Sequence, residues 1–482
     1  MKKIAILTFV TILSLYSEAQ KPSDAYIQSI MSAGKIPGAE AVIIKDGHWI
    51  YDKGWGLADI SNNKTVNRQT LFMIASISKT MIATSLMQLW EKGAFKLDDD
   101  INAYLPFKVQ NPYHPTDTIT FRMLVSHTSS IQDNYTVMNA TYVFGDSPIP
   151  LDSLLRNYFV PGGVYYTASK NFYTYHAGKG YNYSNMAATL AAYLVQRISG
   201  DDYAHYCDTA IFAKLCMDNA SLKLAGIKDT TLIARPYSWS GTQYLDNGLY
   251  GYADYPDGQL RTHITALARF MTTYMQYGIY EGRRMLDSST VALMTHNIST
   301  GPRSFPGTAG QGVFFYTYLI NKDTLWGHNG GDAGVSTAMY FSYKTQTGVI
   351  VLTNGDANSL SYNMETILDT LYKYGLTVTP AATDTFPSCN SHLGISSVIP
   401  ADHFDISVFP NPAGDLLNVE ISDHYNQTFM EIYNMNGKKF YSKEIIGNSG
   451  QVITSDFPPG LYILTFNCNG MALQHKKLLI TH

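Results

Sequence analysis

The sequence predicts an α+β protein that ends in a small all-β module, and three patterns predict it. Residues 39 to 60 give two strand-like runs around a tight turn, and residues 324 to 354 read as a β meander. Between them lie apolar runs at helical spacing. Beyond residue 404 that spacing stops, and only short alternating runs remain.

The 482 residues allow two or three domains and a large core. With 45% hydrophobic and 15% charged residues and a net charge of -4, the composition is that of an ordinary soluble globular chain. It has no basic excess to favour nucleic acid and no arginine cluster to suggest a polyanion site. At the amino end, Lys2 and Lys3, the apolar run Ile4 to Leu15 and then Ser17-Glu18-Ala19 predict a secretory signal over residues 1–19. The run is too short to span a bilayer comfortably, and no later stretch reaches about 18 apolar residues, so no transmembrane span is expected in the mature protein. The four cysteines, Cys207, Cys216, Cys389 and Cys468, include no CxxC pair, and no metal is expected from them. Cys207 and Cys216 can be bridged only if the helix holding Cys207 ends before Cys216, since nine helical residues would set them about 13 Å apart.

Taking the elements in order, AEAVIIK and WIYDKGWGLA form the first hairpin, with Asp46-Gly47 as its turn. LFMIASISKTMIATSLMQLWEK (71 to 92) follows, with Ile82, Leu86, Leu89 and Trp90 at helical spacing and Gly93 ending the run. It places Ser76 and Lys79 one turn apart at a helix start, hence on one face. A hydroxyl that attacks carbonyls needs a base within hydrogen-bond reach, and a lysine serves if burial lowers its pKa. Ser-x-x-Lys occurs three times here, against roughly two expected by chance. Ser32 to Lys35 runs into Ile36-Pro37-Gly38, and Ser61 to Lys64 lies in a polar turn. Only Ser76 to Lys79 opens an apolar helix.

Residues 97 to 106 form a charged turn, and 119 to 131 a short helix ending in a polar turn. There His127, among Ser and Thr, reads as a structural hydrogen-bonder. Residues 132 to 179 lose periodicity and are rich in Tyr, Asn and Gly, and their aromatic side chains suit a pocket wall as well as they suit the surface. Tyr183-Ser184-Asn185 then stands directly before an apolar helix. A phenol beside an ammonium can relay a proton and an amide can hold a substrate carbonyl, while Ser184 or Asn185 can equally cap the helix. Residues 255 to 275 read as a turn and a scaffold helix starting near Thr262. The meander TLWGHNGG, VSTAMYFSY, GVIVLTN carries His328-Asn329-Gly330-Gly331 at the end of its first strand. Glycine there would let a substrate approach, with a main-chain N–H for a developing oxyanion, while taken alone the stretch reads first as a glycine-rich hairpin.

The ordered set SISK, YSN, HNG resembles the serine β-lactamase and penicillin-binding-protein superfamily, in the branch of class C β-lactamases, D-alanyl-D-alanine carboxypeptidases, D-aminopeptidases and related esterases. The resemblance extends through IPGAEAVIIKDG (36 to 47), TLFMIASISKTMIA (70 to 83), LVSHTSS (124 to 130), GKGYNYSN (178 to 185), DGQLRTHITALARF (257 to 270) and GHNGGDAGVSTAMY (327 to 340). It implies an antiparallel sheet flanked by helices, plus a helical subdomain, with the active site between them. It also implies roles: Ser76 as the acylated nucleophile, Lys79 and Tyr183 sharing its activation and the leaving-group proton, and Asn185 binding the substrate's side chain. The backbone N–H groups of Ser76 and Gly331 would form the oxyanion hole beside Gly330, and His328 would line the strand side of the cleft. No cofactor is expected.

Two departures stand out. The β-lactamases carry Lys-Thr-Gly where this chain has His328-Asn329-Gly330, and the histidine form is similar to the carboxypeptidase, aminopeptidase and esterase members. Lysine is a permanent partner for a substrate carboxylate, whereas histidine is largely neutral near pH 7, which points away from efficient β-lactam hydrolysis. Ser130 also stands where glycine usually closes the HTSG turn.

Residues 377–403, rich in Thr, Ser, Pro and Ala, read as a linker after a hydrolase domain spanning 20–376. Residues 404–482 predict a β-sandwich of about seven strands, with Asn436-Gly437 and Asn469-Gly470 as hairpin turns. Through VFPNPA, IYNMNGK, PGLYILTF and KKLLI this tail resembles the type IX secretion C-terminal sorting domain, which implies the type IX machinery as a partner and export across the outer membrane. A carbohydrate-binding sandwich is the alternative, but no exposed aromatic row is evident. Together these features predict a secreted serine hydrolase acting through an acyl-enzyme on a peptide, D-amino-acid amide or ester. The alternatives are a cell-wall peptide-binding protein with little turnover and a true β-lactamase.

Overall fold

The computed structural model of the chain describes residues 21–299, 310–356, 361–387, 406–421, 428–434, 439–445, 449–468 and 471–481. The expected signal segment 1–19 and the Asn436-Gly437 and Asn469-Gly470 turns lie outside them.

Gly38–Lys45 pairs antiparallel with His48–Asp59, as the two strand-like runs around Asp46-Gly47 predict. Asp46 and Gly47 take φ of 49° and 79°, the positive values that a two-residue turn of right-handed twist demands and that Asp and Gly tolerate best. The meander forms from Asp323–Asp332, Val335–Ser342 and Thr347–Thr353, and an unforeseen edge strand, Tyr316–Ile320, precedes it. The sheet is completed non-locally. Thr347–Thr353 pairs with Gly38–Lys45, Ala39 opposite Thr353 and Lys45 opposite Thr347. Seven strands result, with the meander and its edge strand on one side and the hairpin with Lys64–Thr65 on the other.

Both faces of this sheet are covered. Ala39, Ala41 and Ile43 pack with Ile27 and Ile30 of helix Asp24–Ala33 and with Ile367, Leu368 and Leu371 of helix Ser361–Gly375. Val42, Ile44 and Ile350 belong to the larger core with Met271 and Met275 of helix Ile264–Met275. Successive strand residues point to opposite faces, so a strand buried on both sides reads as one apolar run. Glu40 breaks that run: it is fully buried, and neither carboxylate oxygen has a hydrogen-bond partner among the described residues.

The larger core continues into the helical part, where helix Lys79–Glu91 packs on helix Asn185–Ser199. The first of these is buried from Lys79 through Leu89, which is why its sequence shows little polar face. The stretch 132 to 179 is less irregular than its composition suggests. It holds helices at Tyr135–Asn139, Leu151–Phe159 and Ala168–Asn171. In the second, Leu151, Leu154, Leu155 and Tyr158 make a buried stripe at helical spacing after Pro150.

The chain divides into two compact units, Met1–Pro387 and Ser388–His482. The first part of the expected linker therefore belongs to the first unit. Phe386 packs edge-on against Trp49 and Tyr280, and the Pro387 carbonyl accepts from Arg269 at 2.8 Å. Cys216 is disulfide-bonded and Cys207 is a buried free thiol, so these two are not bridged to each other. In the second unit, strands Ile406–Phe409, Leu416–Ile421 and Ser449–Ile453 form one sheet. Lys439–Ile445, Thr428–Asn434, Gly460–Cys468 and Met471–Ile480 form the other. Leu417, Val419, Met430, Ile432, Leu464 and Phe466 share the core of this sandwich. No helix of the described residues is long and apolar enough to cross a membrane.

Candidate active site

The segment that holds Ser76, the expected nucleophile, begins with a tight turn rather than with the α-helix itself. Ala75–Ser78 forms a single 3₁₀ turn, with Ala75 at a φ of 46°, and the α-helix starts at Lys79. The three-residue step still stacks the two side chains. Lys79 Nζ lies 3.1 Å from Ser76 Oγ and donates to the Asp257 carbonyl at 2.8 Å. Its side chain is wholly buried. Burial holds the lysine below its ordinary pKa, with Asp257, Asp133 and Asp254 opposing. Segment 255–275, expected as scaffold, thus also supplies a partner to the site.

Ser76 is set against the sheet by a missing side chain. A Cβ on Gly330 would stand 2.3 Å from the Ile74 carbonyl oxygen and 2.4 Å from Thr337 Oγ1. Thr337 Oγ1 in turn donates to that same carbonyl at 2.8 Å. Glycine here admits the backbone before the nucleophile rather than a substrate. Gly331, one residue on, is exposed and lines the cavity.

Tyr183 sits over the lysine, with Lys79 Nζ 5.0 Å from its ring centroid. Burial raises its phenol well above 10, and the neighbouring Ser76 hydroxyl opposes the rise. Its position is held by a helix cap. Ser184 Oγ accepts from the Ala187 N–H at 3.0 Å, as a helix N-cap does. A second anchor went unforeseen: Asp133, whose carboxylate accepts from Ser184 Oγ at 2.9 Å and from the N–H groups of Asn185 and Met186 at 2.8 and 3.0 Å. Burial raises this carboxyl while those three bonds lower it. His127 is structural as expected. Its Nδ1 accepts from the Ser184 N–H at 3.2 Å, its ring packs 4.4 Å from Tyr183, and burial keeps it neutral, well below 6.5. Ser130 takes a φ of 59°, the left-handed backbone glycine would favour, and its hydroxyl accepts from Asn111 at 2.9 Å.

These groups border a cavity of about 340 Å³. Ser76, Tyr183, Asn185 and Gly331 line it together with Tyr135, Tyr142, Tyr252, Asp254, Asp257 and Asp332. The tyrosine-rich stretch after 132 thus contributes a wall, through Tyr135 and Tyr142. Tyr142 stacks toward Tyr252 at 4.7 Å and donates to Asp332 at 3.1 Å. Asp254 was not foreseen. It is 2% exposed, and its Oδ1 has no hydrogen-bond partner among the described residues. Burial and the neighbouring Asp257 raise its pKa well above the carboxylate range. No lysine or arginine is among the described residues that line the cavity.

His328 departs from expectation. It is 1% exposed and does not line the cavity. Its ring packs behind Tyr183 at 6.1 Å and against Tyr316 at 4.8 Å. Alternation along the strand puts His328 on the same side as Gly330, toward the buried base of the nucleophile turn. Burial, then Lys79, pushes the imidazole down to about 3, so it is uncharged.

Comparison with known proteins bears on the family and the fold. The family model described as Beta-lactamase matches residues 23–371, and that of the secretion system C-terminal sorting domain matches 407–481. Protein flp of Staphylococcus aureus (strain N315) is 25% identical over 209 residues, 43% of this chain and 39% of that protein. The chain thus spans about two fifths of the length of such curated relatives. The octameric penicillin-binding protein homologue from Pyrococcus abyssi superposes with a TM-score of 0.59 at 18% identity, covering 95% of this chain and 96% of that one. D-amino acid amidase from Ochrobactrum anthropi SV3 also gives 0.59, at 20% identity over 73% and 97%.

Proposed function

We infer the function from two established features: the chain belongs to the β-lactamase family of serine hydrolases, and it carries a sorting domain that directs it to the cell surface or the medium. We propose on that footing that it cleaves amides or esters, including peptides and D-amino-acid amides, through an acyl-enzyme on Ser76. The observation that carries this reading is the buried Lys79 amine 3.1 Å from the Ser76 hydroxyl at the edge of the cavity. In this mechanism Ser76 Oγ attacks the acyl carbon while its proton passes to Lys79, with Tyr183 bordering the path. The backbone N–H groups of Ser76 and Gly331 take the oxyanion, and Asn185 holds the substrate's side chain. The proton returns to the departing amine or alcohol, and water then releases the acid and restores Ser76.

The cavity's charge favours one substrate class. Asp254, Asp257 and Asp332 face it with no lining cation, and His328 supplies no charge where the β-lactamases hold a lysine. Burial favours the protonated form of Asp254 in the empty cavity, but an incoming ammonium favours its ionised form and is held by it, whereas a carboxylate meets no lining cation. This favours amino-acid amides and esters over β-lactams, in keeping with the D-amino acid amidase among the structural neighbours.

The test is to incubate the protein with a fluorophosphonate and a penicillin and weigh it. One adduct on Ser76, absent from Ser76→Ala, is expected with the fluorophosphonate. An unmodified protein, or an equal adduct in Ser76→Ala, overturns the mechanism. A panel of D-amino-acid anilides, p-nitrophenyl esters, D-Ala-D-Ala peptides and nitrocefin then ranks the substrates.

A further inference from the structure

Two segments distant in sequence meet away from the cavity at His114, Asp117 and His176. Each offers one ligand atom, and the three atoms lie within 4.8 Å of one another. His176 Nδ1 donates to Asp117 Oδ2 at 3.0 Å, and a cation that displaced this proton would find the two atoms close to the spacing of about 3.3 Å between neighbouring ligands around a tetrahedral zinc with bonds near 2.0–2.1 Å. The His114 and His176 rings are stacked with centroids 3.6 Å apart and planes 30° from parallel.

The donor atoms are also oriented. His114 Nε2 lies 2.8 Å from the Thr174 carbonyl oxygen. A carbonyl only accepts, so the bond places the proton on Nε2 and leaves the Nδ1 lone pair free. Fixing one ring nitrogen on a backbone carbonyl is how metal-binding histidines are aimed. The Asp117 carboxylate is held as well, accepting from the Ala177 N–H at 3.0 Å. With side-chain exposures of 58% for His176 and 20% for Asp117, the cluster is open to an entering ion.

We propose that His114, Asp117 and His176 bind a divalent transition metal of the Zn²⁺ class. Two imidazoles and one carboxylate are a donor set zinc accepts, with water completing the tetrahedron. None of the three lines the cavity, so the ion clamps structure rather than joining the hydrolysis. It ties the 111–117 turn to the 173–178 segment, the chain that leads into Tyr183. The chain from Gly178 to Asn182 is already stitched to the turn after Val125 by Gly178 N–H to the Thr128 carbonyl at 2.8 Å and Asn182 N–H to the His127 carbonyl at 2.9 Å. The expectation of no metal came from the cysteines, and these ligands are an aspartate and two histidines that the turns bring together from 62 positions apart.

The test is calorimetric titration of the full chain, stripped with EDTA and dialysed, with ZnCl₂, alongside the visible spectrum on adding CoCl₂. One Zn²⁺ per chain with a Kd on the order of 1 μM or tighter is expected, with a cobalt spectrum of tetrahedral intensity and a rise in Tm that EDTA reverses. Binding at least 30-fold weaker is expected in His114→Ala/His176→Ala and in Asp117→Asn. Fluorophosphonate labelling of Ser76 in each variant reports that the hydrolase unit is folded. Wild-type protein that takes up no Zn²⁺ below about 0.1 mM, or folded variants with unchanged isotherms, overturns the site.

Discussion

Gly330 and Ile74 meet so closely that a Cβ on the glycine would stand 2.3 Å from the Ile74 carbonyl oxygen. The contact sets the nucleophile turn against the sheet edge. Gly330→Ala must push strand and turn apart, at a cost of about 1–3 kcal/mol for overpacking. A displacement near 1 Å at the nucleophile is expected to lower kcat on the order of 100-fold. Urea unfolding and steady-state kinetics on a p-nitrophenyl ester check both, and an alanine variant with wild-type kcat would show that the contact does not position Ser76.

Lys79→Met should lower kcat/KM by roughly 10²–10⁴, the usual worth of a positioned general base. In the wild type, the base is active when neutral, and burial lowers its pKa. The rate therefore rises with pH and levels off below the ordinary lysine range near 10.4. A limb that keeps climbing past pH 10 would contradict a buried base.

Asp254→Asn should raise KM for D-phenylalanine p-nitroanilide on the order of 10-fold, the worth of a hydrogen bond to a charged group. For p-nitrophenyl acetate, which has no amine, KM is expected to stay. Equal changes in both would show that Asp254 does not read the ammonium.

Asp133→Asn leaves one acceptor oxygen where the carboxylate's two now serve Ser184, Asn185 and Met186. The expected loss is about 1–3 kcal/mol by denaturant unfolding. Because the cap carries Tyr183, Ser76 labelling by fluorophosphonate should slow as well.

Glu40 gives a pH signature. Burial raises its folded pKa well above 4.5, so between the unfolded value and that raised value the native state holds the extra proton. Stability then falls as pH rises, with a slope approaching about 1.4 kcal/mol per unit. Glu40→Gln removes this loss, and its advantage over wild type in urea midpoint should grow from pH 5 to pH 8. A constant advantage would mean that Glu40 does not titrate in that window.

Much of this protein was legible in its residues. The hairpin at Asp46-Gly47, the β meander, the buried helix after Ser76 and the alternating tail are local patterns, and local dihedral preference and periodicity decide them. The pairing of Ser76 with Lys79 was legible for the same reason, since a three-residue step within one turn fixes which side chains meet. What only the tertiary structure decided depends on chain crossings with no local trace. The Asp257 carbonyl reaches Lys79 across 178 positions, Asp133 caps a helix about 50 residues on, and Asp254 and Asp332 meet at one cavity. His328 shows the limit from the other side. Its motif marked the strand, but whether its ring faced substrate or core depended on how closely Gly330 let that strand approach Ile74, a packing distance no spacing encodes.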